Sequence, residues 1–132
     1  MGAERQPAPV RADLFSGDGL VGGRCHACDR HHFPAGALCP YCGADQVERV
    51  TLSRTGTLWA WTAVTAAPPG YRGSVPYGFG VVELREGIRV VTRLTEPDPA
   101  RLSHGEPVRF EITTLPADDG TTVTTYAFAP AP

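Results

Sequence analysis

Four cysteines in the pattern Cys25-x2-Cys28-x10-Cys39-x2-Cys42 constrain this chain more than any other feature. Two CxxC turns at that separation can place four thiolates tetrahedrally around one metal ion, because each turn directs both of its sulfurs toward one point. Gly43 follows the last cysteine and is free to adopt the left-handed conformation that such a turn uses. Zinc is the expected metal, and iron is the alternative, since a four-sulfur tetrahedron suits both. Because cysteine fills every position, the pattern predicts a structural metal that folds the chain and leaves no place for substrate.

Other uses of these cysteines fit the sequence less well. Residues 1–10 contain two charged residues and two prolines and lack an apolar stretch, so we expect no secretory segment, a cytoplasmic protein and reduced thiols. A thioredoxin-like redox motif needs one CxxC on a βαβ unit, whereas this chain has two that face each other. The chain has no fifth cysteine. Any reaction that requires a cysteine nucleophile is therefore expected on another polypeptide.

Composition favours a small all-β protein. The chain has 132 residues and a net charge of −2, from twelve arginines, no lysine and fourteen acidic residues spread along its length. This balance does not indicate long-range attraction to polyanions, and no apolar run approaches a transmembrane span, so we expect no membrane association. Thirteen prolines and fifteen glycines fall between apolar runs, as is typical of a β protein with many turns.

The order of these runs predicts the organisation of the chain. We expect residues 1–22 to form a tail and a short amphipathic segment, residues 23–46 the metal ribbon and residues 47–132 a barrel. Turns at Arg85-Glu86-Gly87 and Asp118-Asp119-Gly120 predict two hairpins. Five main strands with short connections favour a closed barrel, because closure removes exposed strand edges. The strands are predicted at residues 55–66, 77–84, 87–94, 107–114 and 121–128, with residues 47–53 leading into the first.

A series of short motifs runs along nearly the whole chain in a fixed order. They are Leu14 and Phe15 in a helix-forming segment, Arg24-Cys25 at the start of the ribbon, Phe33-Pro34, Gly56-Thr57-Leu58, Pro76-Tyr77, Val81-Val82-Glu83-Leu84, Gly87-Ile88-Arg89 and Leu102-x2-Gly105-x2-Val108. In this order they resemble the acyl-CoA-associated accessory proteins long catalogued as a domain of unknown function. The resemblance implies a mainly β fold, in which an N-terminal rubredoxin-like zinc ribbon is followed by a five-stranded OB-fold barrel.

The same resemblance implies a partner. Proteins of this family accompany thiolase-like enzymes, including lipid-transfer-type thiolases that act as aldolases, and some accompany or are fused to hydratases of the MaoC type. Leu14 and Phe15 are expected partner contacts. One departure from the family is Ser16-Gly17-Asp18-Gly19, where two glycines each cost about 1 kcal/mol of helix propensity. We therefore expect the helical segment at residues 13–21 to become ordered on contact with the partner.

Trp59 and Trp61 are two residues apart, so a regular strand directs both side chains to one face. Such a pair can stack on a nucleobase or an adenine ring, or it can fill a barrel core or a subunit interface. The core or interface fits the chain better. Residues 46–132 contain eight arginines against nine acidic residues, which argues against the basic groove that nucleic acid requires.

The loop at residues 66–77 is too long for a hairpin turn and is rich in ring-containing residues. Its prolines restrict the unbound loop, Tyr71 and Tyr77 offer large contact areas, and Arg72 can grip a carboxylate or phosphate. A solvated loop without a partner is the alternative. We interpret it as a recognition loop that contacts the partner enzyme near its acyl-CoA entrance.

The remaining polar residues do not form a recognisable active site. His26 lies inside the first CxxC turn, but the four cysteines already complete the ligand set, so we expect it outside that set. The sequence contains no glycine-rich phosphate cradle, no GxSxG and no HExxH.

These observations together predict a non-catalytic accessory subunit. It would bind and activate a thiolase-like acyl-CoA enzyme in a hetero-oligomer of even stoichiometry. On family resemblance alone, the enzyme is a carbon-carbon lyase, aldolase or thiolase of lipid or steroid side-chain metabolism. The alternatives are an independent acyl-CoA-binding module and, with less support, a nucleic-acid-binding OB protein; the three share one fold.

Overall fold

The computed structural model describes residues 8–9, 13–117 and 120–131. Within these residues the chain forms ten strands and a single 3-10 turn at Pro99–Arg101. No helix in the described ranges combines the length and the apolar character needed to cross a bilayer. The strands are β1 (Ala8–Pro9), β2 (Phe15–Ser16), β3 (Gly19–Cys25), β4 (His31–His32), β5 (Val47–Thr51), β6 (Thr55–Val64), β7 (Tyr77–Leu84), β8 (Arg89–Leu94), β9 (Pro107–Pro116) and β10 (Thr122–Pro130).

Five of these strands close into a barrel in the order β6, β7, β8, β10, β9 and back to β6. Neighbours are antiparallel except for β8 and β10, which run parallel where Arg93 lies opposite Ala127 and Leu94 opposite Phe128. The predicted five-stranded OB-fold barrel is therefore confirmed. The hairpin at Gly87 is also present, with the Gly87 amide donating to the Leu84 carbonyl at 3.0 Å. Asp118 and Asp119 of the second predicted hairpin lie outside the described residues.

Alternation along the barrel strands separates an inner face from an outer face. In β7 and β8, every second residue is buried, as expected for strands with one face on a core. Within the described residues the core is continuous between ribbon and barrel, because ribbon-side residues pack into the same cluster as barrel residues. Its most deeply buried members are Leu20, Leu58, Val82, Val108 and Phe128.

The ribbon is a small antiparallel sheet with β3 at its centre. Strand β5 pairs along β3 from Val21 to Cys25, and β4 pairs with β3 on the other side. Strand β3 delivers Cys25 directly into the cysteine cluster. It also carries Leu20 into the barrel core, so one strand links the metal site to the barrel.

The prediction of a helical segment at residues 13–21 is wrong, because this segment forms a β-hairpin of β2 and β3. Phe15 pairs with Leu20 and Ser16 with Gly19, and the Val21 amide donates to the Leu14 carbonyl at 2.9 Å. The turn of this hairpin is Gly17-Asp18, and Gly19, with φ 144°, is the first residue of β3. Phe15 is only 9% exposed, and its ring packs 6.5 Å from that of Phe110 and 6.2 Å from that of Tyr126. The segment is therefore ordered within the chain itself.

The two tryptophans do not share a face, contrary to the sequence expectation. The register between β6 and β7 shifts between Leu58 and Ala60, which places Trp59 in a β-bulge. Such an extra residue reverses the alternation that follows it. Trp61 then packs against the core and donates its indole N–H to the Pro99 carbonyl at 3.0 Å, whereas Trp59 is 43% exposed on the outside.

Candidate metal centre and docking face

The four cysteines come together in one cluster. Their Sγ atoms all lie within 4.8 Å of one another, with Cys25 to Cys42 at 3.6 Å and Cys28 to Cys39 at 3.7 Å. A tetrahedral zinc ion with Zn–S bonds of about 2.3 Å requires S···S edges of about 3.8 Å. Two of the six S···S edges thus match the spacing of a four-coordinate zinc, and the other four exceed it by at most about 1 Å.

The two CxxC turns have the same internal hydrogen bonds. In the first, the Ala27 amide donates to Cys25 Sγ at 3.3 Å, and in the second the Tyr41 amide donates to Cys39 Sγ at 3.4 Å. Each turn then reverses through a left-handed residue. Gly43 takes that position in the second turn, with φ 78°, as the sequence predicts. In the first turn the residue is Asp29, with φ 66°, a conformation that non-glycine residues seldom adopt.

An ion pair supports the left-handed Asp29. Arg24, on β3, donates from Nε to the Asp29 carboxylate at 2.9 Å. This hydrogen bond and the charge of Arg24 lower the pKa of Asp29, so the carboxylate is ionised at neutral pH. The pair joins the strand that carries Cys25 to the turn that carries Cys28.

The thiols of the cluster differ in their readiness to ionise. Burial raises the pKa of Cys39, but hydrogen bonds from the Cys42 and Tyr41 amides outweigh it, and the pKa falls to about 7. The Ala44 amide lowers the pKa of Cys42, yet burial and the neighbouring thiols raise it to about 11. Four adjacent thiolates repel one another, so full ionisation requires a cation among them. The donor set and its spacing fit a dication.

The histidines lie outside the ligand set, as expected for His26. Its Nε2 pairs with the Glu48 carboxylate at 2.8 Å on the surface of the ribbon. His32 is 4% exposed, and neither ring nitrogen has a hydrogen-bond partner within the described residues. His104 Nδ1 donates to the Trp59 carbonyl at 2.9 Å and so braces the bulge.

An apolar surface lies on the outside of the barrel, and we call it the outer face. It comprises Trp59, Phe79 and Val91, which are 43%, 38% and 54% exposed. Phe79 and Val91 occupy outward positions of β7 and β8, and the Arg89 guanidinium covers Trp59 at 4.0 Å from its ring centroid. Large apolar side chains clustered on a surface mark an interaction site more often than isolated ones do.

The predicted recognition loop folds onto the edge of this face. The ring centroids of Tyr71 and Tyr77 lie 5.0 Å apart with the rings tilted by 45°, and the two tyrosines line a groove of about 500 Å³ together with Leu14, Phe79 and Val91. The structure thus brings Leu14, Tyr71 and Tyr77 together with Phe79 and Val91 of the outer face. Trp61 and Phe15 point into the core instead, and Arg72 is exposed in the loop. Whether any of these residues contacts a partner stays a prediction.

Three residues of this region, namely Phe79, Val91 and Arg93, were not predicted from the sequence. The alternation of β7 and β8 could have revealed Phe79 and Val91, which are apolar at outward positions, whereas an outward Arg93 is usual and gives no signal.

Comparison with known proteins agrees with this architecture. Residues 19–48 match the family model described as the ChsH2 rubredoxin-like zinc ribbon domain, and residues 49–113 match the ChsH2 C-terminal OB-fold domain. A DUF35 domain-containing scaffold protein of Pyrococcus furiosus is 31% identical over 84% of this chain and 82% of its own length. The chain belongs to the DUF35 family. Its cysteine cluster is the structural zinc site of a rubredoxin-like ribbon.

Two further relatives carry functional names. The benzoylsuccinyl-CoA thiolase subunit BbsA of Thauera aromatica is 31% identical over 83% of this chain and 74% of its own length. A solved structure described as the Ltp2-ChsH2(DUF35) aldolase has a TM-score of 0.66 and 34% identity, over 86% of both chains. The relatives of this DUF35 chain thus include parts of a thiolase and of an aldolase.

Proposed function

We propose that this chain is a non-catalytic accessory subunit that binds and activates a thiolase-like acyl-CoA enzyme. The observation that carries the proposal is the outer face: Trp59, Phe79 and Val91 lie exposed beside a structured aromatic loop. Burial of aromatic side chains supplies much of the affinity of protein interfaces. A surface of this kind, in a relative of thiolase and aldolase subunits, fits a docking subunit.

The catalytic groups are proposed to lie on the partner. All four cysteines of the chain sit in the zinc cluster, so no thiol remains to act as a nucleophile. The chain would act by holding loops of the partner in their competent arrangement, which changes turnover by shifting a conformational equilibrium. Leu14, Tyr71 and Arg72 would contact the partner at the edge of the outer face.

The finer parts of the proposal follow the named relatives and the family resemblance. The reaction would be cleavage or formation of a carbon-carbon bond by an aldolase, lyase or thiolase of lipid or steroid side-chain metabolism. The complex would have even stoichiometry, since thiolase-like enzymes commonly form two-fold dimers, and it would act in the cytoplasm.

The alternative is an independent acyl-CoA-binding module. A cleft of about 460 Å³ between the ribbon and the β7–β8 hairpin favours it, because Tyr41 and Arg89 line that cleft and Arg30 lies 5.2 Å from the Tyr41 ring. Titration of the isolated chain with CoA tests this reading. Salt-sensitive binding of an oligonucleotide in the same assay would favour the nucleic-acid alternative.

The experiment for the main proposal is reconstitution with a thiolase-like protein from the same genome. Wild type, the double variant Phe79→Ser/Val91→Ser and the control Leu38→Ser would be compared by affinity. Leu38 is 60% exposed and is not part of the outer face, so its substitution removes exposed apolar surface elsewhere on the chain. We expect the double variant alone to lose binding. Equal affinity of all three proteins would refute the outer face as the docking surface.

A further inference from the structure

Arg93 lies at the centre of the contacts that hold the recognition loop. It projects outward from β8, where it is paired with Phe79 of β7. Its guanidinium lies 4.3 Å from the ring centroid of Tyr77 and 5.6 Å from that of Tyr71. It also donates a hydrogen bond to the Tyr71 hydroxyl at 2.9 Å. One side chain of the barrel therefore contacts both aromatic residues of the loop.

Tyr71, which Arg93 holds in place, makes two hydrogen bonds to the backbone of the loop. Its hydroxyl accepts from Arg93 and donates to the Ser74 carbonyl at 2.8 Å, and its amide donates to the Pro68 carbonyl at 3.0 Å. Gly73 completes the arrangement, because a Cβ at this position would overlap the Tyr71 hydroxyl. The loop thus has a defined shape that depends on the contact between Arg93 and Tyr71.

The charge of Arg93 is not balanced within the groove. Of the groove-lining residues, only Arg93 is charged, and no carboxylate in the described part of the chain pairs with it. Arg93 is half-buried, and two aromatic rings displace water from its guanidinium. The ion pair between a partly desolvated guanidinium and a carboxylate is strongest when apolar side chains around the carboxylate keep water away.

We infer that Arg93 is a positioning and specificity residue for partner docking. It holds the loop in its docking shape, and it selects a partner segment that places a carboxylate among apolar side chains in the groove. The first part follows from the intramolecular contacts alone. The second rests on the proposed function, because it requires a protein partner. A loop that is already ordered loses less conformational entropy on binding, so its restraint raises affinity.

Trypsin tests the first part in the isolated, zinc-loaded protein. The Arg72–Gly73 bond lies in the loop, and a protease must open the local backbone to cleave it. We expect Arg93→Gln, Tyr71→Phe and Gly73→Ala to accelerate cleavage after Arg72 by roughly tenfold or more. Arg109→Gln is the matched control, since Arg109 pairs with Glu111 on β9 and does not line the groove. Cleavage of Arg93→Gln at the rate of wild type and the control would overturn the role in loop positioning.

Affinity for the thiolase-like partner tests the second part. Gly73→Ala disturbs the shape of the loop and keeps the positive charge of Arg93. Arg93→Gln removes that charge and also the contacts that hold the loop. We expect Arg93→Gln to weaken the complex by about 10- to 100-fold, the range for a lost charge-assisted hydrogen bond, and to weaken it more than Gly73→Ala. If both variants weaken the complex equally, then Arg93 does not pair with a carboxylate of the partner, and its role is limited to positioning the loop. If wild type forms no complex, the proposed function and the carboxylate partner both fail, while the trypsin result still decides the role of Arg93 in the loop.

Discussion

Substitution of Phe15 by alanine distinguishes two accounts of residues 13–21. In one the segment is a hairpin that buries Phe15, and in the other it is a helix whose Phe15 contacts a partner. In the hairpin, Phe15 is a core residue that contacts the rings of Phe110 and Tyr126. Truncation of a buried phenylalanine to alanine costs about 3–5 kcal/mol, from lost transfer energy and from the cavity left behind. With 9% of the side chain exposed, we expect the lower end, about 3 kcal/mol. For a domain of this size that lowers the melting temperature by roughly 10 °C.

The assay is thermal unfolding of the isolated, zinc-loaded chain followed by circular dichroism. The control is Leu38→Ala, because Leu38 is 60% exposed and should change stability by less than about 0.5 kcal/mol. If Phe15→Ala melts within a few degrees of wild type, then Phe15 does not stabilise the free chain and the hairpin account is wrong. Such a result would restore the view that this segment becomes ordered only on a partner.

Further predictions concern the metal site and the loop. Cys39→Ser should lose both the metal and the fold, because zinc binding contributes about 10–16 kcal/mol in small structural sites; a folded, metal-free variant by circular dichroism and metal analysis would contradict this. Asp29→Ala should destabilise the ribbon by about 1 kcal/mol more than Asp29→Asn, since asparagine tolerates the left-handed backbone at φ 66°. Equal melting temperatures would argue against this backbone strain. Tyr71→Ala combined with Arg72→Ala should weaken the partner complex in a pull-down titration, and unchanged affinity would remove the loop from the interface.

The zinc site and the barrel could be predicted because each depends on a local rule. The cysteine spacing alone implies four converging sulfurs, and Gly43 supplies the left-handed residue that the second turn uses. The strands were visible from β-branched and aromatic runs separated by turn residues. Strand β7, at Tyr77–Leu84, has the predicted bounds.

The hairpin of β2 and β3 could not be predicted in the same way, because a short apolar segment fits a helix and a strand equally well. What decides the conformation is distant in sequence: Phe15 is buried against Phe110 and Tyr126, and β3 pairs with β5. Gly17 and Gly19 disfavour a helix by propensity, but in the hairpin Gly17 lies in the turn and Gly19 begins β3.

The docking region depends on two features that have no local signature. The bulge at Trp59 separates two tryptophans that a regular strand would have placed together. The restraint of the loop depends on Arg93, which is 22 residues from Tyr71 in the chain. The loop and its aromatic residues are recognisable in the sequence, but only the folded barrel shows which side chain holds them.

The most direct test of the accessory role is the carbon-carbon bond activity of the thiolase-like partner, measured with and without this chain. The chain and the partner would be purified separately, mixed at increasing ratios, and followed by both turnover and the mass of the complex. The account predicts a complex of even stoichiometry, and activity that rises with added chain and saturates at that ratio. A partner that is fully active alone, with no complex at micromolar concentrations, would contradict it.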